Sequence, residues 1–288
     1  MKLSIVIPAY NEQENIEQCI NELTEIVVEE YGIDCEILIV NDNSTDDTAA
    51  VVRRIAESNA NLRLIGRTPP GGLGRALRTG LKAVTGEAVV IYMADLSDDP
   101  NDVVKYYRKL EEGYDCVFGS RFMPGSEVRD YPPVKRVINR IVNNCVRWMF
   151  WTEFNDLTNA FKAYRTSVLR ECGPFRASHF NITLEMSLSV LCRDYNVAQI
   201  PIKWFGRTWG SSNLRLHEMG RRYLCTLLMM FCQRILIADD LVAERIANDR
   251  DRRQSDERIQ EIDDRLNRLE EFLSIETSVS KDELAEAK

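Results

Sequence analysis

The chain has 288 residues, of which 44% are hydrophobic, so it is long enough to bury one large core or a core with an appendage. This composition excludes a disordered or fibrous protein. The formal net charge of -8 argues against nucleic acid as the main partner, because binding to a phosphate backbone needs a cationic field.

Eight cysteines are scattered along the chain without a C-x-x-C pair, and only two histidines are present to complete a zinc site. We expect free, mostly buried thiols in a reducing cytoplasm. The first residues have the pattern of a strand instead of a signal peptide, which predicts a protein on the cytosolic side. The longest apolar stretch, residues 223–237, is shorter than the roughly 20 residues that span a bilayer.

Strand and helix patterns alternate along the first half of the chain. Short β-branched runs predict strands, and apolar residues at three- and four-residue spacing predict helices between them. A glycine-rich loop at residues 69–74 precedes the third helix. The predicted order is strand 3–9, helix 15–30, strand 35–41, helix 48–59, strand 62–65, helix 75–84, strand 88–93, strand 116–119 and helix 132–150.

Such alternation predicts an α/β fold with a Rossmann-like, mostly parallel sheet flanked by helices. Ligands of these sheets bind beyond the carboxyl ends of the strands. The polar segments 8–12, 41–44 and 95–99 stand at three of those ends. The sequence therefore predicts a nucleotide site there.

Later segments suit a membrane surface, and from about residue 243 the character of the chain changes. Helix 132–150 mixes basic, aliphatic and aromatic residues, which suits an anionic membrane surface, and residues 216–243 read as an amphipathic membrane-proximal helix. Residues 244–275 carry a short heptad seam, which predicts either a coiled coil that makes an oligomer or a helix folded onto its own domain. Residues 276–288 read as a flexible tail.

Three motifs occur in order at the strand ends: PAYNE at residues 8–12, NDNSTDDT at 41–48 and ADLSDDP at 94–100. Together they resemble family 2 glycosyltransferases, which have the GT-A fold. The segments GSRF (119–122), DLTNAFKAYR (156–165) and GRTWGSSN (206–213) are similar to those of dolichyl-phosphate mannosyltransferases and their bacterial polyprenyl-phosphate relatives. The resemblance spans roughly residues 3–215 and implies a GT-A catalytic domain over residues 1–215.

The resemblance assigns the donor side of the site. It implies that Pro8, Tyr10 and Glu12 line the pocket for base and ribose, and that Asp42 hydrogen-bonds the nucleoside. Gly74 belongs to a loop that admits close approach of the donor. From the residues alone, Tyr10 also fits a core aromatic, Glu12 a helix-entry carboxylate, and the glycines an ordinary turn.

The resemblance also implies a divalent cation, Mg2+ or Mn2+. The family motif is usually D-A-D, and here Met93 replaces its first aspartate. The remaining candidates for metal ligands are Asp95, Ser97 and Asp98, completed by donor phosphates, since magnesium commonly takes one or two protein carboxylates. Asp98 and Asp99 equally fit a solvated cap for a helix that begins near Pro100.

An ionised phosphate acceptor is already a nucleophile, so the sequence predicts a cationic pocket instead of a general base. Arg121, Arg136 and Arg207 match family arginines that bind phosphates, and the substrate side also includes Ser212. Asp156 would position the sugar or orient Arg165. With Asp95, the residues Arg121, Asp156 and Arg207 are the candidate catalytic set. Asn213 replaces a family lysine, which points to a different lipid, donor or loop geometry.

The resemblance therefore predicts an inverting transfer of a hexose from GDP-mannose or a UDP-sugar to a polyprenyl phosphate, such as dolichyl or undecaprenyl phosphate. The enzyme would lie peripherally on the cytosolic face of a membrane. One alternative is transfer to a glycan or other hydroxyl, which needs a base such as Asp98, Asp99 or Asp156. Another is a catalytically weak scaffold, since the metal motif is incomplete. The sequence does not identify the sugar.

Overall fold

The computed structural model describes residues 1–206 and 220–236. The chain divides into two units, Met1–Arg234 and Ile235–Lys288, and of the second only residues 235 and 236 are described. The predicted domain boundary at residue 215, the coiled coil at 244–275 and the tail at 276–288 lie outside the described residues and stay predictions.

The described residues form nine strands and eight helices. The strands are β1 (Leu3–Ala9), β2 (Cys35–Asn41), β3 (Leu62–Gly66), β4 (Ala88–Ile91), β5 (Cys116–Ser120), β6 (Glu127–Arg129), β7 (Lys162–Arg165), β8 (Val197–Pro201) and β9 (Lys203–Phe205). The helices are α1 (Ile16–Leu23), continued by a π-helical segment (Thr24–Glu30), α2 (Thr48–Ala56), α3 (Leu73–Ala83), α4 (Pro100–Glu111), α5 (Pro133–Phe150), α6 (Thr166–Cys172), α7 (Ile182–Cys192) and α8 (220–236). Each strand and helix predicted between residues 3 and 150 is present, with ends shifted by up to three residues. Residues 220–236 of the predicted helix 216–243 are helical, and both ends of that helix lie outside the described residues.

Seven strands form one sheet in the order β3-β2-β1-β4-β7-β5-β8. Neighbouring strands are parallel except where β7 pairs with β4 and β5. The chain passes from β1 to β2 and β3 on one side and returns to β4 on the other, so the β1–β4 boundary is a topological switch point. The predicted mostly parallel α/β fold is confirmed.

The sheet separates two apolar layers because side chains alternate along each strand. Leu3, Ile5 and Ile7 pack in one core cluster with helices α1 and α4, whereas Val6 packs in the other with α3. All four side chains are fully buried. Each buried aliphatic side chain of this kind contributes about 1.5–3 kcal/mol relative to exposure. These two cores fix the strand ends on which the polar loops stand.

The antiparallel strand β7 positions the second half of the site. Its first residue, Lys162, pairs with Ile91 at the end of β4 and with Phe118 of β5. The segment that precedes β7 therefore lies at the carboxyl edge of β4 and β5. This direction brings residues 156–161 to the same edge as the loops that follow the parallel strands.

All eight cysteines are free and five are buried, as expected. Cys145, Cys225 and Cys232 are exposed on helices α5 and α8. Among the helices that the structure describes, none combines the length and apolar character needed to cross a bilayer.

Candidate functional site

Hydrogen bonds hold the loops after β1 and β2 together. Asn11 has a φ of 54°, and its side-chain oxygen accepts a hydrogen bond from the backbone N–H of Thr45 at 2.8 Å. The backbone N–H of Asn11 donates to Ser44 at 3.1 Å, and that of Glu12 donates to Thr48 at 2.9 Å. The two predicted donor-binding motifs therefore form one surface.

The predicted donor residues differ in their exposure. Pro8 is buried within β1 opposite Val40, whereas Tyr10 is 46% exposed just beyond the strand. Tyr10 is thus not a core aromatic. Glu12 is buried, and its carboxylate accepts a hydrogen bond from the side chain of Asn15 at 2.9 Å. Of these side chains, Tyr10 has the exposure needed to stack on a ligand.

Asp42 joins three loops at the end of β2. Its buried carboxylate forms an ion pair with Arg67, which follows β3, and accepts the backbone N–H of Gly72 at 2.5 Å. The sequence analysis missed Arg67, although its place two residues beyond the predicted strand 62–65 was a usable signal. Asp42 therefore holds in place the loop before α3 as well as the loop after β2.

The glycine-rich loop packs closely on the protein's own backbone. Gly72 has a φ of 141°, which L side chains rarely adopt. A Cβ atom on Gly74 would lie 2.3 Å from the carbonyl oxygen of Ala177, and the Gly74 N–H donates to Ser178 at 3.1 Å. The close approach at Gly74 is thus made by residues 177–178, and its role toward a donor stays a prediction.

The acidic turn after β4 contains the predicted metal ligands. The Asp95 carboxylate accepts the Ser97 N–H at 3.3 Å, and Leu96 between them has a φ of 60°. Asp98 is 4% exposed, and within the described residues its Oδ2 atom has no hydrogen-bond partner. Burial raises the pKa of Asp98 well above its usual range; Asp95 raises it further and Arg121 lowers it.

Asp98 and Asp99 have different environments. Asp99 caps α4 by accepting the backbone N–H of Asn101 at 2.8 Å, and it lies 3.1 Å from the Lys203 ammonium. Burial would raise the pKa of Asp99, but these hydrogen bonds lower it below its usual value. The alternative of a helix cap therefore holds for Asp99, whereas Asp98 is not solvated.

The acidic turn fits a divalent cation that also uses ligands from a donor. In the described part of the chain, no three His, Cys, Asp or Glu side chains cluster as a metal site. Asp98 nevertheless has an unpartnered carboxylate oxygen, and Asp95, which raises the pKa of Asp98, belongs to the same turn as Asp98 and Ser97. Mg2+ commonly takes one or two carboxylates and completes its shell with phosphates and water.

Arg121 and Asp156 form a buried ion pair beside this turn. Arg121 donates from Nε and Nη2 to the two carboxylate oxygens at 2.8 Å each, and its backbone N–H donates to the same group at 3.0 Å. Burial would lower the pKa of Arg121, but Asp156 raises it above its usual value. Asp156 does not orient Arg165, which instead donates to the carbonyls of Leu110 and Tyr114.

Lys162 is a buried residue near the Arg121–Asp156 ion pair, and the sequence analysis did not identify it as a site residue. It stands where the family pattern has arginine, and its fully buried ammonium donates to the Leu157 carbonyl at 2.7 Å and to Ser187 at 2.6 Å. Burial lowers the pKa of Lys162 to about 7, although Asp156 raises it. The lysine thus holds the backbone next to Asp156.

Strand β9 connects the acidic turn to Arg121. Trp204 forms a β-bridge with Asp98, and the Phe205 N–H donates to the Ser97 carbonyl at 2.9 Å. The Arg121 guanidinium lies 5.9 Å from the Trp204 ring centre and 5.3 Å from that of Tyr131. Asp95, Asp98, Arg121 and Asp156 are therefore parts of one site.

The remaining predicted acceptor residues lie at the edge of this site or outside the residues that the structure describes. Arg136 is exposed in the first turn of α5, five residues after Tyr131. Tyr131 packs on Trp204, with ring centres 4.9 Å apart, so α5 begins beside the site. Arg207 and Ser212 lie outside the described residues, and their roles stay predictions.

Comparison with known proteins gives a family model and curated relatives. Residues 4–180 match the model for glycosyl transferase family 2. The chain is 30% identical over 220 residues to a dolichol-phosphate mannosyltransferase of Saccharomyces cerevisiae, covering 74% of this chain and 81% of that protein. It is 28% identical over 219 residues to a dolichol-phosphate mannosyltransferase of Pyrococcus furiosus, covering 75% of this chain but 60% of that protein's length.

Solved structures show the same fold. One is glucosyl-3-phosphoglycerate synthase from Mycobacterium tuberculosis in complex with Mn2+, uridine diphosphate and phosphoglyceric acid. It superposes with a TM-score of 0.61 at 24% identity, covering 80% of this chain and 78% of that one. At this identity the likeness concerns the fold.

Proposed function

The chain belongs to glycosyl transferase family 2, and on this basis we propose that it transfers a hexose from a nucleotide diphosphate sugar to a polyprenyl phosphate, with inversion. One edge of the sheet supports this most directly. Asp42 and Asp95 follow the strands on either side of β1, and Arg121 follows β5 beside the same acidic turn. Two carboxylates suited to a donor and one arginine suited to a phosphate acceptor therefore lie at the same edge of the sheet.

The donor is a GDP- or UDP-hexose, with its base and ribose near Pro8, Tyr10, Glu12 and Asp42. Relatives named as mannosyltransferases support mannose as the first sugar to test. Asp95, with Ser97 and Asp98, would hold Mg2+ or Mn2+. When bound there, the cation neutralises charge on the diphosphate leaving group.

In the proposed reaction, an oxygen of the lipid phosphate attacks the anomeric carbon on the face opposite the diphosphate. A new carbon–oxygen bond forms while the bond to the diphosphate oxygen breaks, and the nucleoside diphosphate leaves with that electron pair. The phosphate is already ionised at neutral pH, so no general base is needed. Inversion at the anomeric carbon follows from this single displacement.

The arginines bind and orient the acceptor. The Arg121–Asp156 fork uses one N–H group each of Nε and Nη2, so contact of Arg121 with a phosphate would use Nη1 or the second N–H of Nη2. We assign Arg136, Arg207 and Ser212 to the same acceptor. The enzyme would work peripherally at the cytosolic face of a membrane, and residues 244–275 would make it an oligomer.

Transfer of labelled sugar tests this function. The wild-type chain is offered GDP- and UDP-hexoses with a short polyprenyl phosphate, with and without Mg2+ or Mn2+. We expect metal-dependent labelling of the lipid. The Arg136→Gln variant should raise the KM for polyprenyl phosphate by about tenfold or more, because a hydrogen bond to a charged group is lost, while the donor KM stays constant.

Arg147→Gln is the matched control, since Arg147 is an exposed arginine at the other end of α5. It should leave both KM values unchanged. Labelling of a soluble hydroxyl acceptor while the lipid stays unlabelled would contradict the acceptor assignment and favour transfer to a glycan. Equal losses in the two arginine variants would contradict the role of Arg136.

A further inference from the structure

The backbone of Leu157 is held from two sides by buried side chains. Its N–H donates to the Oδ1 atom of Asn143 at 2.7 Å, and its carbonyl oxygen accepts a hydrogen bond from the Lys162 ammonium at 2.7 Å. Leu157, Asn143 and Lys162 are each at most 1% exposed. Leu157 directly follows Asp156, so the two side chains fix the backbone next to the Arg121–Asp156 pair.

Asn143 uses its whole side-chain amide in this region. Its oxygen accepts a second backbone N–H, that of Thr158, at 3.3 Å. Its nitrogen donates to the Thr158 hydroxyl at 3.1 Å and to the carbonyl oxygen of Asn139, one turn earlier in α5, at 2.9 Å. An asparagine amide offers two acceptor positions and two donor hydrogens, so both kinds of group are fully used. A buried and satisfied polar side chain of this kind specifies one arrangement of the segments that it joins.

Asn143 is also the buried residue of α5 nearest to the amino end of that helix. The buried residues of α5 are Asn143, Val146 and Phe150, so its first half, with the exposed Arg136, has no buried side chain of its own. Hydrogen bonds are directional, whereas apolar contacts are not. Asn143 therefore sets the position of the first half of α5 on the segment that precedes β7.

The first half of α5 adjoins Arg121. The Arg140 guanidinium lies 5.0 Å from the ring centre of Phe122, the residue that follows Arg121. On its other side, Arg121 is held by three hydrogen bonds to the Asp156 carboxylate. The spacing between Arg121 and α5 is thus determined through the backbone that Asn143 holds.

We propose that Asn143 is a positioning residue for the phosphate acceptor, which sets α5 relative to the Arg121–Asp156 pair so that Arg121 and Arg136 contact one phosphate together. This inference rests on the proposed function and adds to it a residue that is too deeply buried to touch either substrate. Two guanidinium groups bind one phosphate well only where their spacing matches its oxygens. A shift of α5 would weaken acceptor binding and leave the donor residues after β1 and β2 in place.

Transfer of labelled sugar to a short polyprenyl phosphate tests this role. Asn143→Ala leaves the N–H groups of Leu157 and Thr158 without their acceptor, so the segment must shift. We expect the KM for polyprenyl phosphate to rise by about tenfold or more, because a displacement of about 1 Å can cost up to about a hundredfold in activity. The donor KM should stay constant. Asn143→Asp keeps the acceptor oxygen and should have a lower acceptor KM than Asn143→Ala.

Two variants are matched controls. Asn144→Ala removes the neighbouring asparagine of α5, which is exposed. Thr166→Val removes a buried hydrogen bond, to the Gly86 carbonyl at 2.7 Å, at the opposite edge of the sheet. Both controls should keep both KM values, and the unfolding transition of each variant measures its stability.

Hydrogen exchange without substrates measures the geometry directly. The backbone N–H groups of residues 157 and 158 should exchange faster in Asn143→Ala than in Thr166→Val, relative to the global stability of each variant. A loss of stability alone would instead raise exchange at these two positions to the same relative extent in both variants.

The outcomes separate this role from the proposed function. An equal acceptor KM in Asn143→Ala and Asn144→Ala would overturn the positioning role and leave the proposed function intact. So would an acceptor KM in Asn143→Asp as high as in Asn143→Ala, an equal rise in donor and acceptor KM, or equal relative exchange in Asn143→Ala and Thr166→Val. A wild-type chain that labels no lipid would contradict the proposed function and this inference with it.

Discussion

Lys162 is a buried lysine whose ionisation depends on the fold around the site. Its ammonium is fully buried between Leu157 and Ser187, with the Phe118 ring centre 4.9 Å away. The nearby negative charge of Asp156 is engaged by Arg121, so Asp156 offsets only part of the desolvation of the lysine. Lys162 is thus a buried cation stabilised mainly by two neutral acceptors.

This environment predicts a pH-dependent stability. The lysine has a pKa of about 7 in the folded chain and an ordinary value of 10.5, so between these values the unfolded chain binds the extra proton. The free energy of unfolding of the wild type relative to Lys162→Met should rise with pH in this window, by up to about 1.4 kcal/mol per pH unit. Below pH 7 the difference should be constant.

Urea unfolding at several pH values measures this difference. Lys82→Met, at an exposed position on α3, is the control and should show no such trend. The loss of the hydrogen bonds to Leu157 and Ser187 lowers stability by an amount that does not vary with pH. A constant difference between wild type and Lys162→Met from about pH 6 to about pH 9 would contradict a depressed lysine pKa.

Individual site residues were predictable where they follow an apolar strand, as Asp42 and Asp95 do. The side chains with which the site residues pair were not predictable from the sequence. Asp156 pairs with Arg121 across 35 positions instead of with the nearby Arg165, because the antiparallel direction of β7 decides which edge the segment reaches. Spacing along the chain carries no information about that direction.

At the scale of elements, the sequence pattern was informative where a helix has one exposed face or where a strand is marked by an apolar run. Strands β1 to β5 were predicted because each is an apolar run bounded by polar residues. Helix α7 has no exposed face over residues 182–190, which are all buried, so its polar and apolar residues do not separate into the pattern of a surface helix. Strands β6 and β9 have three residues each and depend on their mutual pairing.

The contact between α3 and the segment before α7 gives an element-scale prediction. Gly74→Ala places a methyl group 2.3 Å from the Ala177 carbonyl oxygen, so either the backbone of residues 177–178 or α3 must move. We expect a loss of about 1–3 kcal/mol in stability. The donor KM should rise as well, because the loop before α3 donates the Gly72 N–H to Asp42.

Gly66→Ala is the matched control, since a Cβ atom there would meet nothing within 4 Å. It should leave the unfolding midpoint and the donor KM nearly unchanged. Chemical unfolding and steady-state kinetics measure both quantities. A Gly74→Ala variant as stable and as active as Gly66→Ala would show that the two segments do not depend on this contact.

At the scale of the whole molecule, two parts of the sheet, on either side of the β4–β7 boundary, are assigned to different substrates. Strands β1, β2 and β4 end in the carboxylates assigned to the donor, whereas β5 and β7 supply the Arg121–Asp156 pair on the acceptor side. The chain's net charge of -8 conceals a local cationic surface, because helix α5 and residues 220–236 carry seven basic residues and no acidic one. Composition alone could therefore not reveal the cationic surface.

Calorimetric titration with GDP and UDP most directly tests the central claim that a cation and a donor diphosphate meet at Asp95. We expect wild-type binding of one nucleotide that requires Mg2+ or Mn2+, and a loss of at least about tenfold in the Asp95→Asn variant. Asp47→Asn, at an exposed position in the loop after β2, should bind as the wild type does. Binding that is equally tight without metal, or unchanged in Asp95→Asn, would contradict the account.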